Sequence, residues 1–159
     1  MNKLEIEKLK KDIDFAFKGV SLGRGISWRE ADIIDDYGSK TQREAARAKD
    51  ELKDWNKVPY SLIESLRYQA VISFLDNWGL RFYTPILIKF TFDNIKTCES
   101  VIIESFIYSL TKASTIQDFK PVLSKVQINC IIDFLTWYAE NGDEFTAKDI
   151  PEALVIWNS

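Results

Sequence analysis

The sequence predicts a mainly α protein of the α+β kind: a single compact helical domain with one small β-hairpin near residues 70–84. Three observations lead there. The 159 residues suit one domain of ordinary size and divide poorly into two. Hydrophobic residues at 46% and charged residues at 28% are globular values, which exclude general disorder and fibrous repeats. Only 6 glycines and 4 prolines are present, too few for the many turns of an all-β sandwich or barrel. Charge is densest in the first 60 residues, so the early elements read as solvated helices and the later ones as the main source of core. No repeat, low-complexity tract or Pro/Ser-rich linker divides the chain.

The elements follow in order. Ile6, Leu9, Ile13, Phe17 and Val20 recur at three-and-four spacing with Lys and Glu between them, which predicts an amphipathic helix over residues 3–18. Gly19, Gly23 and Gly25 then break it. This stretch lacks the Lys-Ser/Thr ending and the preceding apolar strand of a phosphate-binding loop, and it reads as a connector. Ser27-Trp28-Arg29-Glu30 is a capping box that opens a short helix to about Asp36, and Gly38 suits the left-handed position after it. A second box, Ser39-Lys40-Thr41-Gln42, opens a helix whose inward positions are Ala45, Ala48, Leu52 and Trp55. Pro59 fits the first turn of another short helix reaching about Leu66.

Residues 70–75 form an apolar run, Asp76-Asn77-Trp78-Gly79 has turn chemistry and residues 80–84 alternate, the pattern of a hairpin. Thr84-Pro85 then starts a helix through Phe92, although Ile86, Ile88, Phe90 and Phe92 also fit a period of two. Residues 101–110 share that ambiguity, with Ile103, Phe106, Ile107 and Leu110 suited to one helical face. The clearest helix opens at the box Ser124-Lys125-Val126-Gln127. Lys125, Asn129, Asp133, Thr136 and Glu140 make a narrow polar stripe on it, and Ile128, Ile131, Ile132, Phe134, Leu135 and Trp137 fill the rest. A last helix starts near Thr146, carries Pro151 in an early turn and ends at Trp157.

Composition excludes several chemistries. With no histidine there is no Ser-His or Cys-His catalytic pair, no His-bearing zinc site and no ordinary near-neutral switch. Cys98 and Cys130 form no CxxC pair, and a reducing, cytoplasmic setting fits them. The opening residues are charged and lack a signal-type apolar region, and no apolar run is long enough to span a membrane. A net charge of -3 with a pI near 5.1 gives no general attraction for nucleic acid. No Gly-x-Ser-x-Gly elbow or Ser-x-x-Lys pair is present.

The succession Ile26-Ser-Trp-Arg-Glu30-Ala31, Ile33-Ile-Asp-Asp36-Tyr37-Gly38, Ala46-Arg47-Ala48-Lys49-Asp50 with Trp55, and Ser73-Phe-Leu-Asp76-x-x-Gly79-x-Arg81-Phe82-Tyr83-x-Pro85 resembles an uncharacterised bacterial family known as a domain of unknown function. The likeness spans most of the chain. It implies a cytoplasmic bacterial helical domain and brings no activity with it.

Two groups of residues are candidates for function. Glu30, Asp32, Asp35, Asp36 and Asp50 are the densest carboxylates, and oxygen ligands of this kind suit Mg²⁺, Mn²⁺ or Ca²⁺. Pairing of Asp50 with Arg47 or Arg43 is the competing use. Asp76 and Arg81 flank the expected turn beside Trp78 and Tyr83, a charged and aromatic cluster fit to receive a partner's side chain. The reading that follows is a non-catalytic protein-interaction module, an immunity or accessory protein among the forms it would take. It binds another protein through Asp36, Tyr37, Arg47, Asp50, Trp55, Asp76, Trp78, Arg81 and Tyr83, with no cofactor and no resident metal. The alternatives are a metal-dependent hydrolase using the Asp/Glu cluster and a self-associating structural subunit, a homo-oligomer.

Overall fold

Local capping signals place most helix starts. In the computed structural model, which describes residues 2–159, Asn2 accepts the Glu5 amide at 3.0 Å and opens α1 (Lys3–Ala16). Leu9, Ile13 and Phe17 from its inward stripe are buried, and Ile6 and Val20 are partly buried. The second helix, α2 (Trp28–Asp35), has the Ser27 amide donating to Glu30 Oε1 at 3.1 Å. It ends with the Gly38 amide on the Ile33 carbonyl at 2.8 Å and the Tyr37 amide on that of Ile34 at 3.1 Å, the paired bonds of a Schellman ending. The left-handed residue there is Tyr37 (φ 57°), one position earlier than expected. Gly38 is required for space instead, since a Cβ would lie 2.2 Å from Ile33 Cγ2.

In α3 (Lys40–Arg47) the Ser39 hydroxyl accepts the Gln42 amide at 3.2 Å, but no residue of the helix is buried. Ala45 and Ala48 are exposed, contrary to the inward positions expected of them, whereas Leu52 is partly buried against the core and Trp55, in a 3₁₀ turn over Trp55–Lys57, is buried in it. Polar side chains dock this helix, so alanine spacing was no guide to its buried face. Pro59 precedes the short α4 (Tyr60–Ile63), and 3₁₀ turns follow at Leu66–Tyr68 and Val71–Phe74.

The hairpin is not there: no strand occurs among the described residues. Residues 70–75 pass through the second of those turns, and α5 (Asn77–Asn94) begins eight positions before the expected Thr84-Pro85 start. Asp76, read as a turn residue, is its N-cap, accepting the Gly79 amide at 2.8 Å. Pro85 sits inside the helix, where its missing N–H and its ring cost roughly 3 kcal/mol. Burial offsets that loss. Phe82, Tyr83, Ile86, Leu87, Ile88 and Phe90 are all enclosed, and a segment apolar on every side carries no periodicity by which to tell helix from strand. Gly79 lets the helix approach the 25–26 backbone, because a Cβ there would stand 2.5 Å from the Ile26 carbonyl oxygen.

The second half is helical throughout: α6 (Ile102–Thr111), α7 (Ala113–Phe119), a 3₁₀ turn at Lys120–Val122, α8 (Lys125–Asn141), α9 (Glu144–Ala147) and α10 (Ile150–Asn158). The box at Ser124 opens α8, whose predicted polar stripe is exposed from Lys125 to Glu140. Central α5 packs against α1, α4, α6 and α7, and α8 packs against α1 and α10. Phe134 lies at the middle of an aromatic group, stacked with Phe106 at 5.7 Å and Trp137 at 6.2 Å and edge-on to Phe92 at 5.8 Å. Trp157 closes the far end by donating its indole N–H to the Leu110 carbonyl at 2.8 Å. Among the described residues no helix is long and apolar enough to cross a membrane.

Candidate functional site

Several of the residues singled out by sequence converge on the 23–30 segment. Arg47 on α3 donates to the carbonyl oxygens of Gly23 and Gly25 and lies 3.4 Å from Glu30 Oε1, while Arg43 reaches Glu30 Oε2 at 3.1 Å. Asp50 accepts the Arg29 amide at 2.8 Å and the Arg29 guanidinium at 2.6 Å, and its carboxylate is 1% exposed. Asp76 takes the Ile26 amide at 3.0 Å in addition to that of Gly79. The Tyr83 hydroxyl accepts the Trp28 amide at 2.8 Å, with the two rings edge to face at 5.1 Å. Burial first, and then the nearby Asp50 charge, hold the Tyr83 phenol protonated well above the ordinary tyrosine range.

This corner is thus closed by charge-assisted bonds. It takes up three of the carboxylates from which a metal site would be built: Glu30 and Asp50 face arginines and Asp32 faces Arg67 at 3.3 Å, while Asp36 is the exposed residue at the end of α2. Among the described residues no group of three or more Cys, Asp or Glu side chains is placed to hold a metal ion. Nothing in this arrangement favours a hydrolase.

The remaining candidates separate. Trp55 is buried and donates its indole N–H to the Phe17 carbonyl at 2.8 Å, with Lys89 Nζ over its ring at 5.2 Å. Trp78 is 45% exposed and carries the Arg81 guanidinium over its face at 5.0 Å. Tyr37 stands almost free at the end of α2, 98% exposed. Cys130 is buried and its thiol is pushed up to about 12, chiefly by burial, which leaves it a poor nucleophile; Cys98 is partly buried.

Two surface residues that sequence reasoning did not single out frame an apolar cleft of about 300 Å³. Tyr108 on α6 and Phe145 on α9 flank it, 60% and 77% exposed, with Glu104, Lys148 and Asp149 along its edge. Lys112 Nζ lies over the Tyr108 ring at 5.8 Å and Lys148 Nζ over the Phe145 ring at 4.2 Å. A signal for Tyr108 was available, since it is the large aromatic on the outward face of a helix whose other face is Ile103, Phe106, Ile107 and Leu110. For Phe145 there was none, because a four-residue helix has no readable face.

No curated protein and no solved structure matches the chain. Residues 5–157 match a family of unknown function, DUF6714. That span takes in both the charged corner and the aromatic cleft, and the chain belongs to this family.

Proposed function

We propose that this protein is a non-catalytic protein-interaction module whose docking face centres on the Tyr108–Phe145 cleft. The carrying observation is the pair of strongly exposed rings on either side of an apolar depression, each with a lysine laid over it. Large aromatic side chains in that state expose area that a partner would remove from water, and interface anchors are typically an apolar side chain seated in such a pocket within a polar rim. Glu104, Lys148 and Asp149 supply the rim. The stacked Trp78 and Arg81 offer a second contact of similar chemistry.

Affinity capture from cells that make the protein tests the reading. The wild-type chain retains one stoichiometric partner, and Tyr108→Ala with Phe145→Ala loses it while the melting temperature stays within a few degrees, as exposed positions allow. Retention by the double variant, or capture of nothing in repeated trials, removes the proposal. Self-association is read on the same material by light scattering: a dimer that the double variant dissolves makes the partner a second copy.

A further inference from the structure

We propose that Trp78 and Arg81 receive a carboxylate side chain from an acidic segment of a partner protein. Both lie in the first turns of α5, three positions apart and so on one face of it. Trp78 is exposed, and the Arg81 guanidinium is laid over its ring. The assignment rests on reading this pair as a contact of the interaction module, and it does not depend on the Tyr108–Phe145 cleft.

Arg81 is the group that points to a ligand. Four of the chain's arginines are spent on carboxylates: Arg29 on Asp50, Arg43 and Arg47 on Glu30, and Arg67 on Asp32. Arg24 and Arg81 have no such partner among the described residues. The Arg81 Nε is buried without an acceptor, and its two Nη groups, which reach the surface, donate to no oxygen of the protein. Stacking on Trp78 fixes the plane of the guanidinium, so those outer nitrogens stand as a ready fork for a carboxylate.

The surroundings set the sign of the ligand. Gly25 packs on Trp78, where a Cβ would lie 2.9 Å from that of the tryptophan, and its neighbour Arg24 is exposed. Arg47 reaches the Gly23 and Gly25 carbonyls of the same loop. The carboxylates built into this part, Glu30 and Asp76, are occupied by arginines and by backbone amides, and Asp76 forms no ion pair with Arg81. Cations therefore prevail locally on a chain whose net charge is -3. That overall charge repels a long polyanion such as nucleic acid, whereas a single carboxylate meets only the local field and lays its methylenes on the Trp78 ring. Tryptophan and arginine are also the side chains most enriched among interface anchors.

Trp78 reports on the contact directly, because Trp28, Trp55, Trp137 and Trp157 are all buried. Fluorescence quenching by iodide and by caesium, each scaled to free N-acetyltryptophanamide, measures the field at its ring, and quenching by neutral acrylamide measures cover by a capped hexaglutamate peptide at millimolar concentration. Iodide quenches roughly twofold or more better than caesium, and hexaglutamate shields the ring while capped hexalysine does not. Arg24→Ala, at an exposed position, lowers the iodide-to-caesium ratio with an unchanged melting curve. Arg81→Gln lowers it further and abolishes the shielding; if that protein is unstable, the arginine at position 24 decides. Tyr108→Ala with Phe145→Ala is shielded as the wild type is, so the two contacts stand or fall separately. Equal quenching by the two ions, no shielding by hexaglutamate, or a ratio that neither arginine variant lowers overturns the proposal. Stronger shielding by inorganic phosphate or by a single-stranded oligonucleotide than by hexaglutamate also overturns it, in favour of a phosphate ligand.

Discussion

The α2–α3 corner and the α5–α8 interior are both well enclosed, but they are enclosed by different forces. Around Phe134 the helices meet mainly through rings and aliphatic side chains, with a few side-chain bonds to carbonyls of neighbouring helices, such as Gln127 to Ala16 at 3.0 Å. In the corner a helix with no buried residue is held to its neighbour by Arg43 and Arg47 on Glu30 and by the Gly23 and Gly25 carbonyls. The first arrangement tolerates imprecise geometry and gains from area, whereas the second depends on a few directional bonds. The corner should therefore open locally while the interior stays shut.

Substitutions can separate the two. The largest effect falls in the interior: Phe134→Ala, fully buried, costs about 3–5 kcal/mol by denaturant unfolding and lowers the whole transition. Glu30→Gln leaves two arginines without their carboxylate and costs about 2–3 kcal/mol. Its signature is regional, with faster amide hydrogen exchange across residues 40–50 and little change in α8. Uniform acceleration would mean that the corner does not open separately. Gly79→Ala tests the seam between the regions. The added Cβ meets the Ile26 carbonyl oxygen, and about 1–3 kcal/mol is lost along with protection near residues 25–28.

High pH tests the interior from another side. Cys130 and Tyr138, both on α8, are each pushed up to about 12, chiefly by burial, from ordinary values of 9.0 and 10.0. The unfolded chain loses these protons first, so their contribution is whole below about pH 9 and is lost as pH climbs towards 12. The unfolding midpoint falls through that window, and Cys130→Ala makes the early part of the fall shallower. The smallest effect is at the rim of the corner. Tyr37→Asn relieves a left-handed residue with an exposed side chain and stabilises by less than about 1 kcal/mol, read as a slight rise in melting temperature.

The same division accounts for what could be read in advance. Ser27, Ser39 and Ser124 marked three helix starts: the Ser39 and Ser124 hydroxyls accept amides within their own turn, whereas at Ser27 only the reciprocal bond from its amide to Glu30 forms and its hydroxyl has no partner. The stripe on α8 was legible because one narrow face of an otherwise buried helix stays wet. Asp76 shows the limit of such signals. Its short polar side chain serves a turn and a helix cap equally well, and only the enclosure of α5 around Pro85 decides between them. Asp50 and Tyr83 were named for separate clusters, yet they share one cleft; Tyr37, named with Asp50, points to solvent.

By itself the chain determined its helical class, the helix starts at Ser27, Ser39 and Ser124 and the wet stripe of α8, since each of those follows from interactions within a few residues. Tertiary structure alone decided that α5 runs unbroken through a proline, that α3 docks by charge, and which aromatic side chains remain outside. Those outcomes turn on contacts between segments tens of residues apart, where a buried carboxylate is stable only once its arginine arrives.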